Sequence, residues 1–143
     1  MQVSFALFAD AANLSQEGKL NVLGVFDAVQ VGTVPTVHPR AHLVLRLKGG
    51  RTDAGSHTVT LRWLNPDGVE LWSTSGDLAI AAPPNEVREM DLPLIASIDL
   101  PIDRTGRFTM NIALDDVPTA EVALTVRQGT ATMGQAPGPG LVS

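Results

Sequence analysis

The sequence contains no cysteine and no tyrosine, and its aromatic residues are two tryptophans and four phenylalanines. Without cysteine the chain has no disulfide framework, no thiolate zinc site and no cysteine nucleophile. The few aromatic residues leave only Trp72 and Phe8 for a sugar-binding platform. At 143 residues the chain is still long enough to bury a sizeable core without covalent or metal supports.

Clusters of positive charge are also missing, because ten Lys and Arg residues are scattered among fifteen Asp and Glu residues, for a net charge of −5. Sequence-independent binding to nucleic acid or to an anionic membrane depends on clustered cations, so we expect neither partner. The first ten residues have no basic segment, and Asp10 interrupts their apolar run. We therefore predict no signal peptide, no membrane span and a cytoplasmic protein.

Helical periodicity is absent from windows longer than about ten residues, and period-two alternation takes its place. Apolar residues occupy alternate positions in segments 3–7, 43–47, 59–63, 108–114 and 120–126. Turn signals such as "NPDG" at 65–68 and "DDVP" at 115–118 separate the segments. The run from Leu20 to Val31 predicts a long central strand bent at Gly24. The pattern predicts an all-β fold: a single antiparallel β-sandwich of about eight strands, Ig-like or jelly-roll-like, with at most one short helical turn near 11–17.

The composition changes abruptly at Gly129, where glycine, proline, alanine and threonine begin to dominate. Such a segment has too little apolar surface to offset the entropy of ordering it. We therefore predict a β-sandwich domain over residues 1–128 and a flexible Gly/Pro-rich tail over residues 129–143. Docking of the tail on a partner is the alternative.

The stretch "FALFADAANLSQEGKLNVLGVFD" holds a polar interval, Ala9 to Lys19, between two apolar runs. The short side chains of Asp10 and Asn13 suit hydrogen bonding to neighbouring backbone amides, and Gly18 suits the exit from a turn. The interval is either an ordered connector or a partner-recognition loop that carries Asp10, Asn13 and Glu17.

One hairpin is more specific. In "TLRWLNPDGVELW" the proline and glycine of residues 65–68 predict a type I turn closed by a G1 bulge. The resulting register places Arg62 opposite Trp72 and turns Trp63 inward as a core anchor. Arg62 and Trp72 together are the candidate site for a small ligand or a carbohydrate.

Catalytic motifs are not evident. No G-x-S-x-G elbow and no phosphate-binding glycine loop occurs, and we predict no cofactor. The motif "HPRAH" offers two histidines, and His57 is the third. If the strands carrying His42 and His57 form a hairpin, the two residues lie on the order of 15 Å apart. We therefore expect surface or strand-end histidines rather than a zinc site.

Four carboxylates are the remaining chemical candidates. Asp99, Asp103, Asp115 and Asp116 fall in consecutive predicted loops, which a sandwich can bring to one end. Calcium binds six to eight oxygen ligands from such loops, and a metal-dependent hydrolase is the corresponding function. The same segments are also good turn sequences, so both interpretations stay open.

The segments "FALFADAANLSQEGKLNVLGVFD", "HPRAHLVLRL", "LNPDGVELW" and "TGRFTMNIALDD" resemble a family of small, uncharacterised bacterial proteins. Members of that family share F-A-L-F-A-D-A, G-K-L-N and L-G-x-F-D motifs. The likeness covers roughly residues 5 to 127. It implies a β-sandwich and supplies no activity, cofactor or site residue.

Our leading hypothesis is a non-enzymatic, cytoplasmic protein-interaction or assembly module. It would pair an exposed sheet edge with a protein partner or with another copy of itself. The first alternative is a small-ligand or carbohydrate-binding domain at Arg62 and Trp72. The second is the metal-dependent hydrolase.

Overall fold

The computed structural model describes residues 1–84 and 88–129 and consists almost entirely of strands. Nine strands follow in chain order: β1 (Gln2–Leu14), β2 (Leu20–Phe26), β3 (Ala28–Val31), β4 (Thr36–Gly50), β5 (Gly55–Leu64), β6 (Glu70–Ile80), β7 (Glu89–Ile102), β8 (Gly106–Leu114) and β9 (Val117–Gln128). The described part has one 3₁₀ turn, Arg51–Asp53. It includes no helix with the length and apolarity that a membrane crossing requires. The predicted tail beyond Gly129 lies outside the described residues.

The strands form two packed sheets, which confirms the predicted sandwich. Sheet I has the order β2-β1-β4-β7, and sheet II has the order β3-β9-β8-β5-β6. The strand pairs are antiparallel except for β3 and β9, which run parallel. Because β4 and β5 belong to different sheets, the predicted hairpin between the His42 and His57 segments is wrong. The 3₁₀ turn instead connects one sheet to the other.

Trp63 stands at the centre of the core, as predicted. Its side chain is fully buried, with the ring of Phe108 stacked at 5.3 Å and that of Phe8 edge-on at 5.9 Å. Its indole N–H donates to the carbonyl oxygen of Pro101 at 2.8 Å. Since Trp63 belongs to sheet II and Pro101 to sheet I, this bond ties the two layers together while satisfying a buried donor.

The start of β1 departs from simple alternation. Its pairing with β4 shifts between Val3 and Phe5, and one extra residue in a strand moves all later side chains to the opposite face. As a result Ala6 and Phe8 face sheet II, whereas Phe5 and Leu7 face outward. The predicted platform residue Phe8 is therefore a fully buried core residue.

The run from Leu20 to Val31 is not one central strand. It is divided into β2, at the edge of sheet I, and β3, at the edge of sheet II. The chain crosses between the sheets at Asp27, whose carbonyl oxygen accepts a hydrogen bond from the Thr125 amide at 2.9 Å. An apolar run on both faces predicts burial but does not distinguish a central strand from two successive edges.

The β1–β2 hairpin bends back over sheet I. Pairing is interrupted opposite Gly24, which has φ +71°, as expected for the predicted bend. Phe5, on the outer face, lines one cavity together with Gly18 at the hairpin tip, although a straight β1 would separate residues 5 and 14 by about 30 Å. Residues 10–24, here called the arm, thus lie against the outer face of sheet I. On the same outer face, Val44 is fully buried.

Candidate functional site

The sandwich has four edge strands, and they differ in how well they resist pairing with another chain. β2 contains the left-handed Gly24, and β3 has only four residues. β7 carries Pro93 and Pro101, and proline lacks the N–H that an added strand requires. Short strands, irregular backbone and proline are the usual protections of a sheet edge.

β6 has none of these protections. Its eleven residues, ELWSTSGDLAI, contain neither proline nor a cation. Its pairing with β5 is regular from Trp72 to Ile80, and among the described strands nothing pairs with its other edge. This edge therefore presents a long, regular row of backbone donors and acceptors.

An apolar cleft of about 240 Å³ opens between the β6 and β7 edges. The register with β5 turns Trp72, Thr74 and Gly76 toward sheet I, because they pair with Trp63, Leu61 and Val59. A Cβ atom added at Gly76 would meet no atom within 4 Å. The cleft exists because the middle of β6 presents only Thr74 and the bare backbone of Gly76 toward sheet I, where larger side chains would close the sandwich.

The walls of the cleft are core side chains of both sheets. Sheet I contributes Leu43, Leu45 and Leu94, and sheet II contributes Val59 and Leu61. A concave apolar surface of this kind is where a ligand or a partner side chain buries most area.

The rim of the cleft is polar and acidic. Ser75 faces outward, with its hydroxyl 3.0 Å from that of Thr60. Away from the cleft, on the outer face, Arg62 and Glu70 form an ion pair at 2.6 Å. Asp77 is exposed and belongs to the cleft lining, and it makes no ion pair with any described cation. Asp77 is thus the one charged residue in the described lining of the cleft.

Arg62 and Trp72, predicted to face each other, are not brought together. The turn itself forms as predicted, since the Gly68 amide donates to the Asn65 carbonyl oxygen at 2.9 Å. A bulge just beyond the turn then pairs Trp63 with Trp72. Trp72 therefore packs half-buried against the core on the inner face, while Arg62 lies on the outer face.

The candidate residues of the N-terminal interval lie on the arm, where residues 11–17 continue β1 and form a turn without a helix, within the predicted limit of at most one short helical turn. Asp10 and Asn13 are strand residues, and Glu17 lies in the turn, where it pairs with Lys19 at 3.1 Å. Asn13 accepts a hydrogen bond from the side chain of Asn21 rather than from a backbone amide. The turn at Gly18 is present with φ +80°, and the remainder of the predicted connector is a paired hairpin.

The four aspartates do not meet at one end of the sandwich, contrary to expectation. Asp103 precedes β8 and binds the Asn65 side chain at 2.9 Å. Asp115 and Asp116 follow the same strand and form its left-handed turn. Asp99 accepts a hydrogen bond from the Arg40 amide at 2.9 Å. Within residues 1–84 and 88–129 no three His, Asp or Glu side chains are grouped to hold a metal ion.

His57 is part of a polar network that the sequence did not indicate. Its Nδ1 lies 2.6 Å from an Asp115 carboxylate oxygen, and its Nε2 lies 2.5 Å from the Asp53 carbonyl oxygen. Because both partners accept hydrogen bonds, both ring nitrogens can donate at the same time only when the ring is an imidazolium. Asp115 also accepts from the Thr58 amide at 2.9 Å. The network fastens the 3₁₀ turn and the β8–β9 turn to the start of β5.

The pKa values follow from these contacts. The hydrogen bond to Asp115, assisted by that to the Asp53 carbonyl, raises the pKa of His57. The hydrogen bond from His57, followed by that from Thr58, lowers the pKa of Asp115. The Gly50 amide lowers the pKa of the Asp53 carboxyl, and the N-terminal amine at 3.1 Å acts in the same direction. This His57 holds a positive charge for structural anchoring and offers no free nitrogen for proton abstraction.

Comparison with known proteins yields no match among curated proteins and none among solved structures. A family model, described as Family of unknown function (DUF6941), matches residues 4–127. This agrees with the resemblance to an uncharacterised family, while the bacterial origin and the shared motifs stay predictions. Since the match spans most of the chain, the protein belongs to the Family of unknown function (DUF6941).

Proposed function

We propose that this protein is a non-enzymatic interaction module that adds an extended segment of a partner protein to sheet II along β6. The observation that carries the proposal is the unprotected β6 edge lying directly beside an apolar cleft. Strand addition obtains affinity from backbone hydrogen bonds and specificity from pockets for alternate side chains. The β6 edge supplies the backbone hydrogen bonds, and the cleft supplies a pocket for a side chain.

The geometry of an added strand defines the chemistry of the segment. A new strand would lie about 4.8 Å from β6, with every second side chain directed toward sheet I. One such side chain next to Gly76 and Thr74 would enter the cleft. Burying a Leu or Phe side chain there contributes about 1.5–3 kcal/mol. Because Asp77 lies at the rim, we expect a basic rather than an acidic residue beside the apolar anchor.

A non-enzymatic role is supported by the use that the fold makes of its polar side chains. His57 is engaged at both nitrogens. Asp103 and Asp115 lie at opposite ends of β8. A cytoplasmic setting remains part of the proposal on the sequence grounds given above.

A displayed library of short linear peptides, selected against the whole chain, tests the proposal. We expect enriched peptides with apolar residues at alternate positions. In Gly76→Leu the leucine would fill the cleft, and we expect binding to weaken by about tenfold or more. Ser73→Val is the matched control, since residue 73 pairs with Arg62 on the outer face and leaves the cleft open.

Two results would contradict the proposal. One is a set of peptides that binds Gly76→Leu as well as the wild-type chain. The other is a stable wild-type dimer, seen by light scattering, that Gly76→Leu abolishes, because a second copy would then occupy the edge.

A further inference from the structure

A second cavity, of about 430 Å³, lies between the arm and the outer face of sheet I. Its floor includes Phe5 and Pro93, and its roof includes Leu20 and Val22 of the arm. All four side chains are only partly buried, unlike Val44, which the fold covers completely. The arm therefore roofs an apolar hollow that the protein's own side chains leave unfilled.

The lining of this hollow contains more cations than acids. Its lining contains the cations Lys19 and Arg46 and the single acid Asp91, in a chain whose net charge is −5. Arg46 binds Asp91 through one Nη at 2.8 Å, which leaves further guanidinium N–H donors. Among the described residues Lys19 forms an ion pair with Glu17 alone, at the tip, and the two side chains are 76% and 74% exposed. An exposed pair of this kind contributes little and exchanges readily.

We propose that this cavity binds a small amphiphilic monoanion, namely a carboxylate with an apolar body. The apolar part lies between Phe5 and Pro93 below and Leu20 and Val22 above. The carboxylate accepts hydrogen bonds from Arg46 and Lys19 at the mouth. A volume of about 430 Å³ is within the usual range of small-molecule pockets. This site is separate from the β6 cleft, and the inference does not depend on the proposed function.

The arm provides a route of entry. Its strands belong to sheet I only through β1, since β2 pairs with no other described strand. The ladder is interrupted opposite Gly24, where the Asp10 carboxylate occupies the place of a Cβ atom. Lifting the arm at this bend opens the cavity without breaking a hydrogen bond between β1 and β4.

Calorimetric titration with three probes of equal chain length tests the inference. Octanoate should bind, whereas octanol and octylamine should bind at least tenfold more weakly, because only octanoate offers a charged acceptor. Arg46→Gln should reduce octanoate affinity by about tenfold. Arg127→Gln, at an exposed cation on sheet II, is the matched control and should leave it unchanged.

Two further variants, Val22→Trp and Gly76→Leu, distinguish octanoate binding in the arm cavity from binding in the β6 cleft. Val22→Trp should block octanoate binding by filling the hollow, and amide shift changes on octanoate addition should include Gly18 and Gly24. Gly76→Leu should bind octanoate like the wild-type chain, so failure of the β6 proposal would leave this result unaffected. The inference is overturned if octanoate does not bind, if octylamine binds equally well, or if Arg46→Gln and Arg127→Gln behave alike.

Discussion

The two edges that flank the apolar cleft, β6 and β7, have opposite characters. β7 carries Pro93 and Pro101 together with Asp91 and Asp99, and at each proline it has no N–H to offer. β6 presents serine, threonine and Gly76 at its centre, with a complete set of backbone N–H groups. One side of the cleft is thus protected against strand addition, and the other side is open. A fold that needed only to avoid aggregation would protect both edges.

One core supports both edges, and Trp63→Ala, which removes the centre of that core, is the variant with the largest expected effect. Removing this fully buried ring also removes the bond to Pro101, so we expect the free energy of unfolding to fall by about 3–5 kcal/mol. Urea denaturation measures this decrease in the free energy of unfolding. Trp72→Ala, at a half-buried ring paired with Trp63, should cost less than about 3 kcal/mol. Equal decreases in the free energy of unfolding for the two variants would contradict the difference in burial between the two tryptophan rings.

Gly76→Leu changes the open edge itself. A leucine there fits the extended backbone and fills apolar space, so we expect the free energy of unfolding to rise by about 0.5–2 kcal/mol while peptide binding is lost. Chemical denaturation measures the free energy of unfolding of Gly76→Leu and of Ser73→Val. Ser73→Val raises strand propensity without filling the cleft, so the difference between the two variants reports the effect of filling the cleft. A destabilised Gly76→Leu would show that the cleft is narrower than described.

His57 anchors the β5–β6 side of the cleft, because it pairs across the strands with Leu78 of β6. Folding raises its pKa, so its stabilisation is full below the unfolded-state pKa of about 6.5 and is lost as pH rises through the folded-state pKa. Folding lowers the pKa of Asp115, so ionised Asp115 stabilises the folded state above about pH 3.9. This stabilisation is lost as pH falls through the folded-state pKa.

The melting temperature of His57→Gln should therefore fall furthest below that of the wild-type chain between about pH 4 and 6.5. The gap should narrow at alkaline pH. Calorimetry from about pH 4 to alkaline pH measures this difference in melting temperature, with His42→Gln as the control. A gap that widens with rising pH would contradict the imidazolium assignment.

The smallest effect is expected for the ion pair on the outer face of β6. Because Arg62 and Glu70 are both about half exposed, Glu70→Gln should change the free energy of unfolding by about 0.2–1 kcal/mol. Peptide binding should stay unchanged, since the pair faces away from the cleft. A large loss of binding would move the recognition surface to the outer face.

Period-two alternation was sufficient to predict the sandwich and the inward position of Trp63, and the proline and glycine of residues 65–68 were sufficient to predict the turn. It failed wherever a single residue shifted the register, as between Val3 and Phe5, or where Trp63 came to pair with Trp72. The bent arm was missed because alternation says nothing about a strand's direction in space. The cleft was missed because Gly76 opens it only through its pairing with Val59 and the packing of another sheet behind it.

Hydrogen exchange of the backbone amides, with and without a selected peptide, tests the difference between the two edges most directly. We expect slower exchange of the amides along Glu70–Ile80 and no change along Glu89–Ile102 when the peptide is bound. Protection of the β7 amides, or of neither strand while the peptide is bound, would contradict it.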